Sequence, residues 1–381
     1  MHQEQRQRTR ALLDARGVNR ALFANFFTVK WLTGFNPPVQ VGPGFFAGGP
    51  PLVWYEDGHF TLVLADVYAA AAISFDQEPD GAVLTYLGYT VDQPIAGANL
   101  LRTTLRSLLA QSRKGAGKVG VEETDITLLI ANVLQAALPA GAETLSVDGW
   151  LEPLRMVKTA EELARLRENF ALTDLGHAAA RQAVAAGERE IDVWTAVHSA
   201  IQKKAGQRVP LGNDCVVGHR PGNNIGGWPL NHEIRPRDSL ILDLSTQLHG
   251  YWSDSCATYY PNEPTRKQIT MHKIVTEALE LSISLVRPGV VAKDIDLKVR
   301  QFIAGTGYPV YPHHTGHGVG VSGHEAPRIV PYDNQVLADG MVILLEPGIY
   351  FPGETAVRLE DAVLVTPDGA ELLTGHDKSL P

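Results

Sequence analysis

Four carboxylates stand where a folded chain tolerates them least. Asp243 closes the run Leu240-Ile241-Leu242, and Asp254 follows Tyr251-Trp252-Ser253. Glu346 closes Val342-Ile343-Leu344-Leu345, and Glu360 follows Val357-Arg358-Leu359. Apolar runs of this kind read as buried strands, and a carboxylate inside one is costly unless it is paired or binds a metal. Taken singly, Asp243 reads equally well as a turn or capping residue at a strand end. Taken together, four such groups would repel one another and have their pKa values driven up. Two divalent cations would balance their charge. A neutral nitrogen would complete the shell, and the stretch from Pro312 to Pro327 offers His313, His314, His317 and His324 among glycines that allow close approach. A single histidine in such a loop is more often a satisfied core or loop residue, whereas four within twelve positions point to a site. Metal ions held about 3.5–4 Å apart acidify a shared water and stabilise a developing oxyanion, which is hydrolytic chemistry needing no Ser or Cys nucleophile. Cys256 therefore reads as packing. Carboxylate-rich ligation with one imidazole suits Mn, with Co or Zn next, better than Cu.

The elements that must position these groups form two similar segments. One runs from Leu240 to Asp243, turns near His249-Gly250 and returns over Tyr251–Thr258; the other runs from Val342 to Glu346, turns near Pro352-Gly353 and returns over Ala356–Val363. Each follows a two-helix block, so the pattern reads as a weak internal duplication with two hairpins facing across a shared site. In the first block Thr159-Ala160-Glu161-Glu162 is a capping box, Leu163, Leu166 and Phe170 follow at helical spacing, and Gly187 ends the run. A second helix covers Ile191–Lys204 and closes at Gly206, its Lys203-Lys204 pair suiting the helix dipole. The second block has a helix after Pro264 that ends before Pro288-Gly289, and another over Ala292–Ala304.

With 381 residues, two domains are expected, divided at Leu151–Arg155 into 1–154 and 155–381. The first reads as a compact mixed α/β unit. It has an opening helix that stops at Gly17 and strands at Ala21–Phe23, Pro51–Tyr55 and Phe60–Leu64, the last two joined by a hairpin turn at Glu56–His59. Helices at Asn99–Lys114 and Ile126–Leu138 flank a strand at Val119–Glu122. It holds no tight cluster of ligand-type residues and reads as a scaffold or a lid. A formal charge of −9 without a Lys/Arg cluster argues against nucleic acid as a partner. Two cysteines, no basic-then-apolar leader and no run of about 20 apolar residues point to a cytoplasmic protein with no membrane partner.

The order Asp…Asp…His…Glu…Glu, carried in Leu-Asp-Leu-Ser, Trp-Ser-Asp, Thr-Gly-His-Gly-Val-Gly, Leu-Glu-Pro-Gly-Ile-Tyr and Val-Arg-Leu-Glu-Asp, resembles the pita-bread metallopeptidases, within them the prolidase and aminopeptidase P branch. The similarity runs from about Lys158 to Leu373, and Val29–Phe35 resembles that branch's extra N-terminal domain. The resemblance implies an α/β (α+β) chain: a C-terminal pita-bread fold with internal pseudo-twofold hairpins, preceded by a smaller creatinase-type α/β domain. It implies that Asp243 and Asp254 bind one metal ion, that Asp254 and Glu360 bridge to a second, and that His317 and Glu346 complete the ligand set of that second ion. Glu346 would also shuttle a proton, His324 would hold the substrate and its tetrahedral intermediate, and His313 and Tyr350 would line the substrate site. Arg358 would orient a ligand carboxylate beside the substrate. The family's further upstream histidine falls in the register Ile225-Gly226-Gly227-Trp228, where this chain has none. His219 and His232 flank that register and are candidates to substitute, while Trp228 is a candidate to shape the pocket. The implied activity is hydrolysis of short peptides at Xaa-Pro bonds by a homodimer, with a dipeptidase favoured over an aminopeptidase by the short chain. A broader aminopeptidase, a creatinase-like C–N hydrolase and a non-catalytic binding protein are the alternatives.

Overall fold

The computed structural model describes residues 2–37, 48–112, 115–220 and 225–381. The chain divides into two compact units, Met1–Leu154 and Arg155–Pro381.

In the first unit, α1 (Gln3–Ala15), β1 (Arg20–Phe23) and α2 (Phe26–Thr33) lead into β2 (Leu52–Glu56) and β3 (His59–Ala65). A 3-10 turn and the short α3 (Ile73–Asp76) precede β4 (Gly81–Tyr86), α4 (Gly97–Ala110), β5 (Lys118–Val121), α5 (Leu128–Ala137) and β6 (Glu143–Ser146). The strands form one mixed sheet in the order β4-β3-β2-β1-β5-β6. The expected β2–β3 hairpin is present because Asp57 (φ 48°) and Gly58 (φ 88°) both adopt the left-handed conformation that a two-residue turn needs. The last residues of the helix expected to reach Lys114 lie outside the described residues. Helix α2 and strands β4 and β6 are not legible in the sequence. Both strands lie at sheet edges with much of their surface exposed, so neither carries a strong apolar alternation. Glu122, just after β5, ties the sheet to α2: it is 5% exposed and accepts hydrogen bonds from Ala24 N, Asn25 N and Thr28 Oγ1, each at 2.7 Å.

The second unit contains α6 (Glu152–Met156) from its Arg155 onward, α7 (Ala160–Ala183) and α8 (Glu190–Ala205). The expected capping box starts α7: Thr159 Oγ1 accepts from Glu162 N, and Glu162 Oε2 accepts from Thr159 N. The helix stops at Ala183 rather than at Gly187, because Val184 is already extended and Gly187 (φ 92°) serves the turn that follows. Strands β7 (Leu211–Gly212), β8 (Cys215–Val217), β9 (Leu240–Asp243), β10 (Ser245–Leu248), β11 (Tyr251–Trp252) and β12 (Cys256–Tyr259) come next. Helices α9 (Arg266–Leu285) and α10 (Ala292–Gly305) separate these from β13 (Gly316–Gly318), β14 (Glu325–Ile329), β15 (Val342–Leu345), β16 (Gly348–Phe351), β17 (Thr355–Arg358), β18 (Asp361–Thr366) and β19 (Gly369–Leu372).

Both expected hairpins are present, each as a ribbon broken once in each arm. In the first, β10 pairs with β11 around the left-handed His249 and Gly250, and β9 pairs with β12 so that Asp243 faces Cys256. The same register carried across the break sets Ser245 opposite Asp254. In the second, β15 pairs with β18 and β16 with β17 around Gly353, and the shared register sets Glu346 opposite Glu360. The ribbons meet where Glu360 N donates to Cys256 O at 2.9 Å and Thr258 Oγ1 donates to Arg358 O at 2.9 Å. Strand β13 adds to β15 and β14, bringing His317 beside Leu344. Only glycine fits on either side of it: a Cβ at Gly316 would lie 1.9 Å from Leu344 O, and one at Gly318 2.2 Å from Ala326 O. Among the described residues, no helix is long and apolar enough to cross a membrane.

Candidate metal centre

The broken ribbons place their carboxylates at or beside the breaks: Asp243 ends β9, and Asp254, Glu346 and Glu360 lie between paired strands. Asp243, Asp254, Glu346 and Glu360 line one cavity of about 410 Å³, together with His313, His314, His317, His324 and Arg358. Asp254, His317 and Glu360 each offer a ligand atom within 4.8 Å of the others, all three buried. His317 Nε2 lies 3.9 Å from Asp254 Oδ2 and 3.6 Å from Glu346 Oε1. Its Nδ1–H donates to Gly318 O at 2.8 Å, which leaves the Nε2 lone pair facing the carboxylates. Burial, then the neighbouring His324, holds the imidazole neutral by lowering its pKa well below the usual range.

Whether these residues suit cations is decided by Glu360. It is 1% exposed, and among the described residues neither of its carboxylate oxygens has a hydrogen-bond partner. Burial and then the charges of Asp254 and Glu346 push its pKa well above the carboxylate range. Asp254 is driven the same way by burial and by Asp243. Buried carboxylates without donors are destabilising unless something positive sits among them. Oxygen-rich donors with one fixed imidazole fit divalent cations.

Around this core the side chains are held by a directed network. Arg358 Nη2 donates to Asp243 Oδ2 at 2.8 Å and to Asp214 Oδ2 at 2.6 Å, while Nη1 donates to Ile225 O and to Tyr350 Oη. Tyr350 O–H donates to His313 Nε2 at 2.8 Å, because His313 Nδ1–H is given to His314 O at 2.8 Å. Burial, then Arg358, depresses the His313 pKa to about 3, so the ring is a neutral acceptor. Tyr350, expected against the substrate, is 6% exposed, and its hydroxyl links Arg358 to His313. His324 is exposed at the cavity wall, stacked on His317 with ring centroids 3.9 Å apart. The next residue anchors its loop: Glu325 accepts from Arg155 Nη2 at 2.5 Å, Lys158 Nζ at 3.1 Å and Ser322 N at 3.1 Å.

The histidines offered as substitutes at the Gly226 register are elsewhere. His219 pairs with Asp238 at 3.0 Å, His232 lies beside it, and neither lines the cavity. At the register itself, a Cβ on Gly226 would lie 1.8 Å from Asp214 Oδ2, so the Asp214 carboxylate fills the space a side chain there would need. Trp228 does line the cavity and is 81% exposed.

Three lining residues had no assigned role in the sequence. His314 Nε2 lies 2.6 Å from Glu346 Oε1, and its place in the histidine-rich stretch was the only hint. Asn213 and Asp214 precede β8 in a polar turn far from the other ligands in sequence, and nothing in their spacing marks them.

Residues 164–367 match metallopeptidase family M24, and residues 5–157 match the creatinase/prolidase N-terminal domain. The chain is 34% identical over 239 residues to a Xaa-Pro dipeptidase from Pyrococcus furiosus, covering 62% of this chain and 68% of that one. The solved prolidase from Pyrococcus furiosus superposes with a TM-score of 0.78 at 27% identity, over 96% of this chain and 99% of that one. A Xaa-Pro dipeptidase from Bacillus anthracis shares the fold, with a TM-score of 0.83 at 24% identity over 100% of this chain and 99% of that one.

Proposed function

The chain belongs to metallopeptidase family M24, and we propose from that premise that it is a metal-dependent exopeptidase cleaving Xaa-Pro bonds in short peptides, dipeptides first. The observation that carries the reading is the donor-free, buried carboxylate of Glu360 beside Asp254 and His317. The relatives named Xaa-Pro dipeptidase supply the substrate class.

In this reading Asp243, Asp254, His317, Glu346 and Glu360 hold two divalent ions, manganese being the first to test on the strength of the carboxylate-rich donor set. Such a pair supplies an acidified water and stabilises a developing oxyanion. The protein does the rest. Glu346, with His314 against its Oε1, takes the proton from the attacking water and delivers it to the leaving nitrogen. His324, exposed on a clamped loop, holds the carbonyl oxygen that becomes an oxyanion. His313 borders the substrate as a neutral acceptor, fixed by Tyr350. A homodimer working in the cytoplasm completes the reading, from the family resemblance and from two free, buried thiols.

A second reading, an aminopeptidase acting on longer peptides, is favoured by one observation. Arg358 is the only Arg or Lys among the described lining residues, and both Asp214 and Asp243 already engage it. Among the described lining residues, a dipeptide's carboxylate finds no unengaged guanidinium or ammonium. Purified protein loaded with Mn²⁺ or Co²⁺ should hydrolyse Xaa-Pro dipeptides and lose that activity on chelation. Cleavage of Xaa-Pro-Yaa tripeptides but not dipeptides selects the second reading, and cleavage of neither overturns both.

A further inference from the structure

Asp243 is gripped on both oxygens, and both grips trace to one dipeptide. Asn213 Nδ2 lies 3.0 Å from Asp243 Oδ1, 3.0 Å from Asp254 Oδ1 and 2.7 Å from Ser245 Oγ. The amide must present its nitrogen here, because two neighbours are carboxylates and Ser245 spends its own proton on Asp254 Oδ1 at 2.8 Å. Asp243 Oδ2 is held by Arg358, whose guanidinium is in turn anchored by Asp214 Oδ2. Asp214 itself is fixed through Oδ1 by Gly227 N at 2.9 Å.

The backbone supports this arrangement. Asn213 has φ 81°, a left-handed conformation that asparagine tolerates better than most residues. That turn between β7 and β8 sends the Asn213 amide to one oxygen of Asp243 and the Asp214 carboxylate to the guanidinium that holds the other.

We propose that Asn213-Asp214 is a two-armed positioning element for the first of the two metal sites, Asn213 acting directly on Asp243 and Asp254 and Asp214 acting through Arg358. Two carboxylates that would otherwise repel are thereby held in convergent geometry before a cation arrives. Neither residue is itself a metal ligand in this assignment. The proposal rests on the metal-site reading above.

The test is a cobalt titration of the metal-free full chain, followed by calorimetry and visible absorption, both independent of turnover. Wild-type protein should take up two Co²⁺ ions. Asn213→Gly removes the amide while leaving a residue that accepts positive φ without strain. It should weaken one of the two sites by about 10–100-fold, the scale for loss of a group orienting a metal ligand. The absorption of that site should shift, and the other site, which shares only Asp254 with it, should lose less affinity. Asp214→Asn, which alters only the indirect arm, should weaken the same site by a smaller factor. Two wild-type-like affinities in both variants overturn the proposal, as does equal weakening of both sites. A wild-type protein that binds no cobalt overturns the metal-site reading instead.

Discussion

Glu122 and Glu360 are the same residue type, each within the innermost part of its unit, and they are treated in opposite ways. Glu122, in the N-terminal unit, is supplied with two backbone N–H groups and a threonine hydroxyl. Glu360, in the C-terminal unit, has no donor among the described residues although it is the less exposed of the two. A scaffold satisfies its buried polar groups internally, because each one left bare costs roughly 1–3 kcal/mol. A metal site leaves them bare, so that the satisfaction comes from a cation.

The most severe way to break this contrast is Glu360→Gln. Its amide supplies a neutral oxygen where the site needs a charge, so activity should fall by on the order of 10²–10³-fold, the scale for losing one preorganised electrostatic group. Metal analysis should show less than two ions retained. Full activity with full metal content would mean that the bare carboxylate has another purpose.

The mirror experiment is made at Glu122, where the effect should be on stability alone. Burial outweighs its three donors and raises its pKa to about 7. A carboxyl whose folded pKa lies above its unfolded value binds the proton more tightly when folded. Its contribution to stability therefore declines as pH rises from the ordinary carboxylate range to about 7 and is flat above that. Glu122→Gln keeps an oxygen for the two backbone donors and removes the titration. The melting temperature of the variant relative to wild type should rise between pH 4.5 and 7.5, with metal content unchanged. A difference independent of pH would show that Glu122 titrates alike in both states.

The smallest effect is expected at Trp228, which lines the cavity but is largely solvent-exposed. Trp228→Ala should leave stability within about 0.5 kcal/mol of wild type, as for other exposed substitutions. It should raise KM a few-fold with little change in kcat, as expected of a side chain that contacts only bound substrate. A loss of thermal stability would place the indole among the packing residues instead.

What the sequence determined by itself was the set of groups that could not be ordinary. Asp243, Asp254, Glu346 and Glu360 were legible because an apolar run interrupted by a carboxylate is a local energetic anomaly, and local anomalies survive in one dimension. The two hairpins were legible for the same reason, through their turn residues and the apolar runs that meet the carboxylates. Tertiary structure alone decided who stands behind those groups. Asn213 and Asp214 look like ordinary turn residues until β7, β8 and β9 come together, and only then does the Tyr350 hydroxyl link Arg358 to His313. Tertiary structure also showed that the Asp214 carboxylate fills the space a side chain at Gly226 would need. A hydrogen-bond partner brought from a distant strand leaves no trace in spacing or composition, so the residues that hold the candidate ligands in place could be found only by folding the chain.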